Sequence, residues 1–530
     1  MRQELSRPPA MAVGRAETPA RERDWSKVAP FLLGVVAFLL ALHFFGPTDN
    51  WLWDPSFYYA QLRSPIIDGN FDWSDETIPA NGVTLRTARG LQPSVWPVGP
   101  SVLWAPFFVA AHLYARLANP SGPTDGFGAS YIAAVAGGSA LYGLVGLLVL
   151  YRLCRLFAPR NLSALTAVLV LVASPLFFYV FRQPIMAHST SFLASAALLL
   201  ACVMAAQGRL ELGRSGLILG TLTGLNAVTR WASVLIAIVP LTLFGWQLLT
   251  LARAGERTEA RRLMVQLLGF AVGFGLVLLP QFALWYQTHG SWLVFPSQGF
   301  TTGLLPRNLL NLFFHTNRGL LYWAPFVLMG LGGLARVRPA PLRLALLLYV
   351  GAYLYVLGRW GDWYSGGGFG ARYFIETLPV AAIGFVTLMR GAWTNRAARV
   401  LITGLAAALM LHGLTLLHTY EQNKFPADVY GHGAPLGFAY QLENFGYLLR
   451  HPGELVGPRL AVSEERQTVV YHLLRGSSQR GLYEIPLAGA VVLSVGLASA
   501  AYAGRFLTVQ RATALLIVYM VGYSLFFLSI

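Results

Sequence analysis

Apolar residues in this chain come in long blocks. They fall near 29–46, 98–117, 130–151, 163–181, 189–206, 214–229, 232–250, 264–285, 320–335, 341–358, 373–390, 400–419, 486–503 and 512–529. Most run to about 17–22 residues, the length that crosses the hydrocarbon core of a bilayer as helix. The expected fold class is therefore all-α: a polytopic transmembrane helix bundle of about 12–14 spans. Charged residues make up 12% of the chain, about half the usual share of a soluble domain. In that setting the net charge of +16 reads as arginine in short loops between spans, and nucleic acid is not an expected partner.

Arginine clusters orient the bundle, because basic loops stay in the cytoplasm. The N-terminal tail, Arg152/Arg155/Arg160, Arg209/Arg214, Arg253/Arg257/Arg261/Arg262, Arg336/Arg338/Arg343, Arg390/Arg396/Arg399 and Arg505/Arg511 are expected inside. Loops 47–97, 286–319, 359–372 and 420–485 then face outward. Two places strain this scheme. If 98–117 and 130–151 both cross, the Arg152 cluster falls outside, so one of them is expected to be re-entrant or partly inserted. Arg230 also interrupts 214–250. Two short helices meeting at Arg230 near the outer face avoid stranding a charge in lipid. Residues 1–28, rich in Arg, Pro and Ala, read as a disordered cytoplasmic tail without a cleavable signal. After it come a transmembrane module, 29–420, that includes outer loop 47–97, an outer-face loop or small lobe, 421–485, and a C-terminal transmembrane hairpin, 486–530. Cys154 and Cys202 have no metal spacing and read as small buried residues.

The outer loops carry the acidic residues and are dense in aromatics, Pro and Gly. Segments 55–66 and 303–315 show the mixed pattern of helices lying in the membrane plane. One run stands out: Trp53-Asp54-Pro55-Ser56-Phe57-Tyr58-Tyr59, then Asp68-Gly69-Asn70-Phe71-Asp72-Trp73. Trp96-Pro97-Val98-Gly99-Pro100 opens the next apolar block. A carboxylate among aromatics at the lip of a bilayer is expensive and marks function. Asp54 can take a proton from an attacking hydroxyl or amine. Its alternative role is a helix N-cap with Pro55 at the first helical position. Asp68 and Asp72 either contact an acceptor or serve as turn residues. His188, at the start of a span, can join Asp54 in space or act as a hydrogen-bonded structural residue. No clustered ligand set marks a metal site, so no cofactor is expected, with a divalent metal left open. Phosphate recognition would fall to Arg182, Arg230, Arg307, Arg318, Arg359 or Arg372, since the guanidinium fork binds two oxygens at once. Arg230 stands among apolar residues, where an unpaired charge is costly. Arg372 follows Trp360-Gly361-Asp362-Trp363-Tyr364-Ser365-Gly366-Gly367-Gly368-Phe369-Gly370-Ala371. Glycine amides of that loop can form an anion nest, and its aromatics can stack on a sugar face. The alternatives for Arg372 are interfacial snorkelling or a pair with Asp362 or Glu376.

A first span, Asp-x-x-x-Tyr (Asp54, Tyr58), Asp-Gly-x-x-Asp (Asp68, Asp72) and a Pro-x-Gly (Pro97, Gly99) opening the next span resembles the GT-C glycosyltransferases. The nearest branch is that of the protein O-mannosyltransferase and aminoarabinose-transferase-like bacterial membrane enzymes. Asn161 to Arg182, with its Ala173-Ser174-Pro175-Leu176-Phe177-Phe178-Tyr179, and Gly216 to Pro240 around Arg230 are similar too. The resemblance covers roughly residues 30–420 and implies a GT-C-like catalytic module there. It implies a bacterial inner-membrane enzyme using a polyprenyl-phosphate sugar as donor on the outer side. Asp54 would be the catalytic base and Arg230 a holder of the donor phosphate. With Arg372 as a second phosphate contact, the expected reaction is inverting transfer to a lipid, glycan or protein acceptor of the envelope. Tyr58, Asp72, His188, Arg182 and Trp363 are the expected substrate contacts. The chain departs from the family pattern twice: Pro55 follows Asp54 where Glu is common, and His188 stands where a second acidic residue is expected. A flippase or transporter of a lipid-linked sugar is the competing class, and a catalytically inactive family member the third. No internal repeat is visible, which favours the enzyme over a repeat-built transporter.

Overall fold

In this computed structural model the structure describes residues 54–74, 76, 86–92, 96–118, 124–210, 212–294, 299–301, 303–315, 318–366, 368–421, 446, 449–451 and 509–530. The expected tail, the apolar blocks 29–46 and 486–503, and nearly all of 421–485 lie outside the described residues. The regular structure among the described residues is helical, apart from a single bridge pairing Phe300 with Trp360. The elements run α1 (Asp54–Arg63), α2 (Gly99–Ala118), α3 (Ala129–Arg155), α4 (Arg160–Val172), α5 (His188–Ala206), α6 (Leu212–Thr229), α7 (Ile238–Arg253), α8 (Arg257–His289), α9 (Leu309–Phe314), α10 (Leu320–Trp323), α11 (Pro325–Gly333), α12 (Ala340–Arg359), α13 (Leu378–Met389), α14 (Arg396–Glu421) and α15 (Val509–Ser529).

Among the described residues, 8 helical segments are long and apolar enough to cross a membrane. They comprise α3, α5, α7 with its preceding turn, α8, α12, α13 with its preceding turn, α14 and α15. The chain is a multi-pass, all-α membrane protein. Helices α4, α6 and α11 fall in shorter apolar segments. Helix α2, interrupted by Pro106 and carrying His112 and Arg116, is not among the eight. At Arg230 the backbone turns extended (φ −154°, ψ 134°), ending α6 and opening a 3₁₀ turn, Trp231–Ala237, that leads into α7. The two-helix reading of 214–250 holds.

Small residues set the closest approach in the bundle. Gly216 and Gly220, one turn apart on α6, lie against the carbonyl oxygens of Gln266 and Phe270 on α8, and a Cβ at either would overlap them. Helices in lipid gain stability from such backbone contact rather than from hydrophobic collapse. The Ser215 hydroxyl adds a hydrogen bond to Gln266 Oε1 at 3.1 Å.

A second core gathers α1 and its loop between α2, α3, α8 and α15. Every residue of α1 except Asp54 and Phe57 is buried. This corrects the expectation for 55–66: its mixed pattern reflects burial within the protein rather than an amphipathic face on lipid. Trp73 is fully buried, and Phe71 packs edge-on to Phe527 of α15 at 5.2 Å. Arg63 clamps the loop. Its Nη1 donates to Asp68 Oδ2 and Glu76 Oε1, both at 2.6 Å, its Nε to the Asp125 carbonyl at 2.5 Å, and its guanidinium lies 4.1 Å from the Phe127 ring centre. Asp68 is therefore an ion-pair partner and not only a turn residue. Burial pushes the Glu76 carboxyl up, against the opposing pull of Arg63 and Ser64. The segment 303–315 does hold a short helix, α9, on which Leu310 and Phe314 are exposed.

Candidate active site

Four of the charges named in the sequence meet in two ion pairs. Asp54, the first residue of α1, accepts from Arg372 Nη1 at 2.9 Å. Arg372 opens the 3₁₀ turn Arg372–Thr377 that feeds α13. Arg230, at the break between α6 and α7, donates from Nη1 to Glu376 Oε1 at 2.9 Å. The same Nη1 lies 2.9 Å from His188 Nδ1, the first residue of α5. An arginine can only donate, so Nδ1 is the acceptor and the ring proton belongs on Nε2, a tautomer assigned from hydrogen-bond chemistry. Each of these residues begins a helical segment or lies in the turn before one. The site is thus lined by helix starts, whose unpaired amides favour anions.

The two pairs differ in how firmly they are held. Glu376 is 1% exposed and accepts further from Ser191 Oγ (2.8 Å) and the Tyr353 hydroxyl (3.2 Å). The Asp54 side chain is 23% exposed. Tyr373 joins the pairs: its ring centre lies 5.3 Å from the Arg230 guanidinium and 5.8 Å from that of Arg372. Cations over one aromatic face gain from its quadrupole. The Tyr373 hydroxyl donates to Asp362 Oδ2 at 3.3 Å, and Asp362 Oδ1 accepts the Gly366 amide at 3.0 Å. Burial pushes the Asp362 carboxyl above its ordinary value, while Gly366, Arg372 and Tyr373 oppose the shift.

The expected residues are thus partly brought together. Asp54, Arg230, Arg372 and His188 converge, with His188 against Arg230 and 3.9 Å from Glu376 Oε1 rather than paired with Asp54. Arg372 pairs with Asp54, not with Asp362 or Glu376. Tyr58 is buried beside them. Burial raises its hydroxyl well above the ordinary tyrosine value, Asp54 adds to the shift, and Arg230 and Arg372 oppose it. Asp72 serves the turn: Oδ1 accepts the Ser74 amide at 3.1 Å, and its own amide donates to Asn70. Trp363 packs edge-on to His315 at 5.0 Å. Arg182 is buried at the end of the π-helical turn Phe178–Arg182. Arg318 is also buried, donates to the Gly368 carbonyl at 2.8 Å and lies over Trp323. In the glycine-rich loop the Gly366 amide is taken by Asp362, so the expected anion nest is already engaged at that point. No group of three or more His, Cys, Asp or Glu that could hold a metal occurs among the described residues.

Sequence reasoning passed over Glu376, Tyr373, Tyr353 and Ser191 as site residues. Glu376 carried a usable signal, an acid inside an apolar block. It also supplies, from the turn before α13, a carboxylate beside the position where the family pattern expects one and this chain has His188.

No family model and no curated protein matches the chain. It is similar in structure to ArnT from Cupriavidus metallidurans bound to undecaprenyl phosphate, at 16% identity and a TM-score of 0.44, over 95% of this chain and 78% of that one. It is also similar to the Archaeoglobus fulgidus oligosaccharyltransferase tethered with an acceptor peptide containing the NVT sequon, at 15% identity and a TM-score of 0.42, over 84% of this chain and 61% of that one. These are likenesses of overall fold and assign no residue.

Proposed function

We propose that the protein is an integral-membrane glycosyltransferase that moves a sugar from a polyprenyl-phosphate donor to an envelope acceptor, with Asp54 as general base. The observation that carries this reading is the paired cluster itself: two half-buried arginines within 6 Å of one tyrosine ring, with a partly exposed carboxylate 2.9 Å from one of them. An acceptor hydroxyl or amine gives its proton to Asp54 as its heteroatom bonds the anomeric carbon. The bond from that carbon to the phosphate oxygen breaks, and polyprenyl phosphate leaves. Arg230 and Arg372 stand beside the charge that develops on it. Tyr58 and His188 lie buried beside these charges and are the candidates to sense the sugar or phosphate. The membrane is the bacterial inner membrane, with the site on its outer side.

The test is a mass-spectrometric comparison of envelope glycolipids, polyprenyl-phosphate sugars and glycoproteins between a deletion strain and the same strain complemented with wild type or Asp54→Asn. One sugar should vanish from its acceptor while its lipid donor accumulates, rescued by wild type and not by Asp54→Asn. Full rescue by Asp54→Asn would refute the base assignment and favour a carrier of lipid-linked sugar.

A further inference from the structure

The two arginines are not equivalent, and their difference suggests an order of events. Glu376 receives donors from three separate places, the Arg230 break, Ser191 on α5 and Tyr353 on α12, and is shut off from solvent. Displacing it would leave the Arg230 charge uncompensated and take an acceptor from two buried hydroxyls, which keep only the His188 and Tyr373 carbonyls. The Asp54 pair has no such bracing. Its carboxylate is part exposed, and Arg372 Nε is buried without a hydrogen-bond partner among the described residues. That arginine holds an N–H in reserve beyond the one given to Asp54, and a phosphate could engage two donors where Asp54 engages one.

Resting on the transferase reading, we infer that Asp54 occupies the phosphate place on Arg372, so that a lipid phosphate binds by displacing it while Arg230 stays locked to Glu376. Glu376 is then a positioning residue, and Arg372 is the exchangeable anchor. The exchange couples two steps. With the site empty, Asp54 is held by Arg372 and is a poor base. Phosphate on Arg372 releases it, so the acceptor is activated only when donor is present. The arrangement protects against idle chemistry and makes donor binding precede acceptor activation.

The experiment is equilibrium binding of farnesyl phosphate, with farnesol as the phosphate-free control, to the purified full chain in detergent, comparing wild type with Asp54→Asn. Removing the competing carboxylate should tighten farnesyl phosphate binding about tenfold, which is about 1.4 kcal/mol, and leave farnesol binding unchanged. Equal or weaker farnesyl phosphate binding by a folded Asp54→Asn protein would overturn the exchange while leaving lipid-phosphate recognition standing. Farnesyl phosphate binding no tighter than farnesol in either protein would overturn lipid-phosphate recognition itself. Should Asp54→Asn fail to fold, Asp54→Ser provides the same comparison, since it too removes the competing charge.

Discussion

Removing Glu376 alone should harm the protein more than removing Glu376 and Arg230 together. Glu376 Oε1 and Arg230 Nη1 are 2.9 Å apart, with side chains 1% and 15% exposed, so the pair lies mostly out of water. Taking one partner from a buried ion pair leaves a charge without compensation and costs about 3–5 kcal/mol, whereas exchanging both for apolar groups of similar volume is often about neutral. Glu376→Leu should fall at the upper end, because it leaves the Arg230 charge uncompensated and also ends the Ser191 and Tyr353 bonds to the carboxylate, although each hydroxyl keeps a backbone carbonyl. Arg230→Met should fall below it. The double variant should be less destabilised than Glu376→Leu alone, which requires a coupling energy larger than the cost of Arg230→Met, about 3 kcal/mol or more. Thermal unfolding of the purified proteins in one detergent, followed by tryptophan fluorescence at a fixed scan rate, gives the rank order even where unfolding is irreversible. Strictly additive losses, or a Glu376→Leu protein as stable as wild type, would refute mutual compensation and mean that Arg230 is solvated where it stands.

Other changes separate structure from chemistry. A Cβ at Gly368 would sit 2.8 Å from both Arg372 Nε and Tyr179 Oη. Gly368→Ala should therefore misplace Arg372 and lower sugar transfer by about 10–100-fold, measured as lipid-linked sugar consumed, with the unfolding temperature nearly unchanged. Tyr373→Leu removes the ring beneath both guanidiniums and should weaken farnesyl phosphate binding by about 5–10-fold. Tyr373→Phe, which keeps the ring and loses the bond to Asp362, should cost about twofold; equal losses in the two would exclude the ring as the platform. Gly220→Leu should abolish recovery of monodisperse protein on size exclusion, since its side chain must enter the Phe270 backbone. Arg63→Met leaves Glu76 without its charge partner and should open segment 54–76 to limited proteolysis.

Bilayer-length apolar blocks made the helix bundle legible before any coordinates, and Arg230 announced its own break because a charge inside such a block must go somewhere. Asp54 and Arg372 were each visible as costly polar residues among aromatics. Their pairing was not, because they are 318 positions apart and nothing local ties them. Glu376 was weighed only as a partner for Arg372, four residues before it, although the turn Arg372–Thr377 sends the two side chains to different cations. Periodicity also misread α1. Its mix of apolar and polar residues suggested a helix in the membrane plane, but a helix enclosed on nearly every side carries no stripe for a pattern to find. The Gly216-x-x-x-Gly220 contact was not read in the sequence, because its meaning depends on the facing backbone of α8.

Within the proposed reaction, the charge balance explains why two carboxylates stand where phosphate-binding arginines would seem to need none. Two guanidiniums and two carboxylates make a site that is neutral when empty, which lessens the penalty of holding cations in a poorly solvated place. A donor phosphodiester brings one negative charge, and the departing phosphate monoester carries up to two. Binding that favours both equally would not accelerate transfer; only interactions that strengthen as charge develops do so. Arg372 can supply that difference. Asp54, already displaced from Arg372 by the bound phosphate, becomes neutral as it takes the acceptor's proton and can no longer compete to return, at the same moment the leaving oxygen gains charge. Proton removal and leaving-group stabilisation then converge on one guanidinium. Arg230, fixed by Glu376, keeps the second cation in place through the whole cycle and prevents the site from reorganising when the first one changes partner.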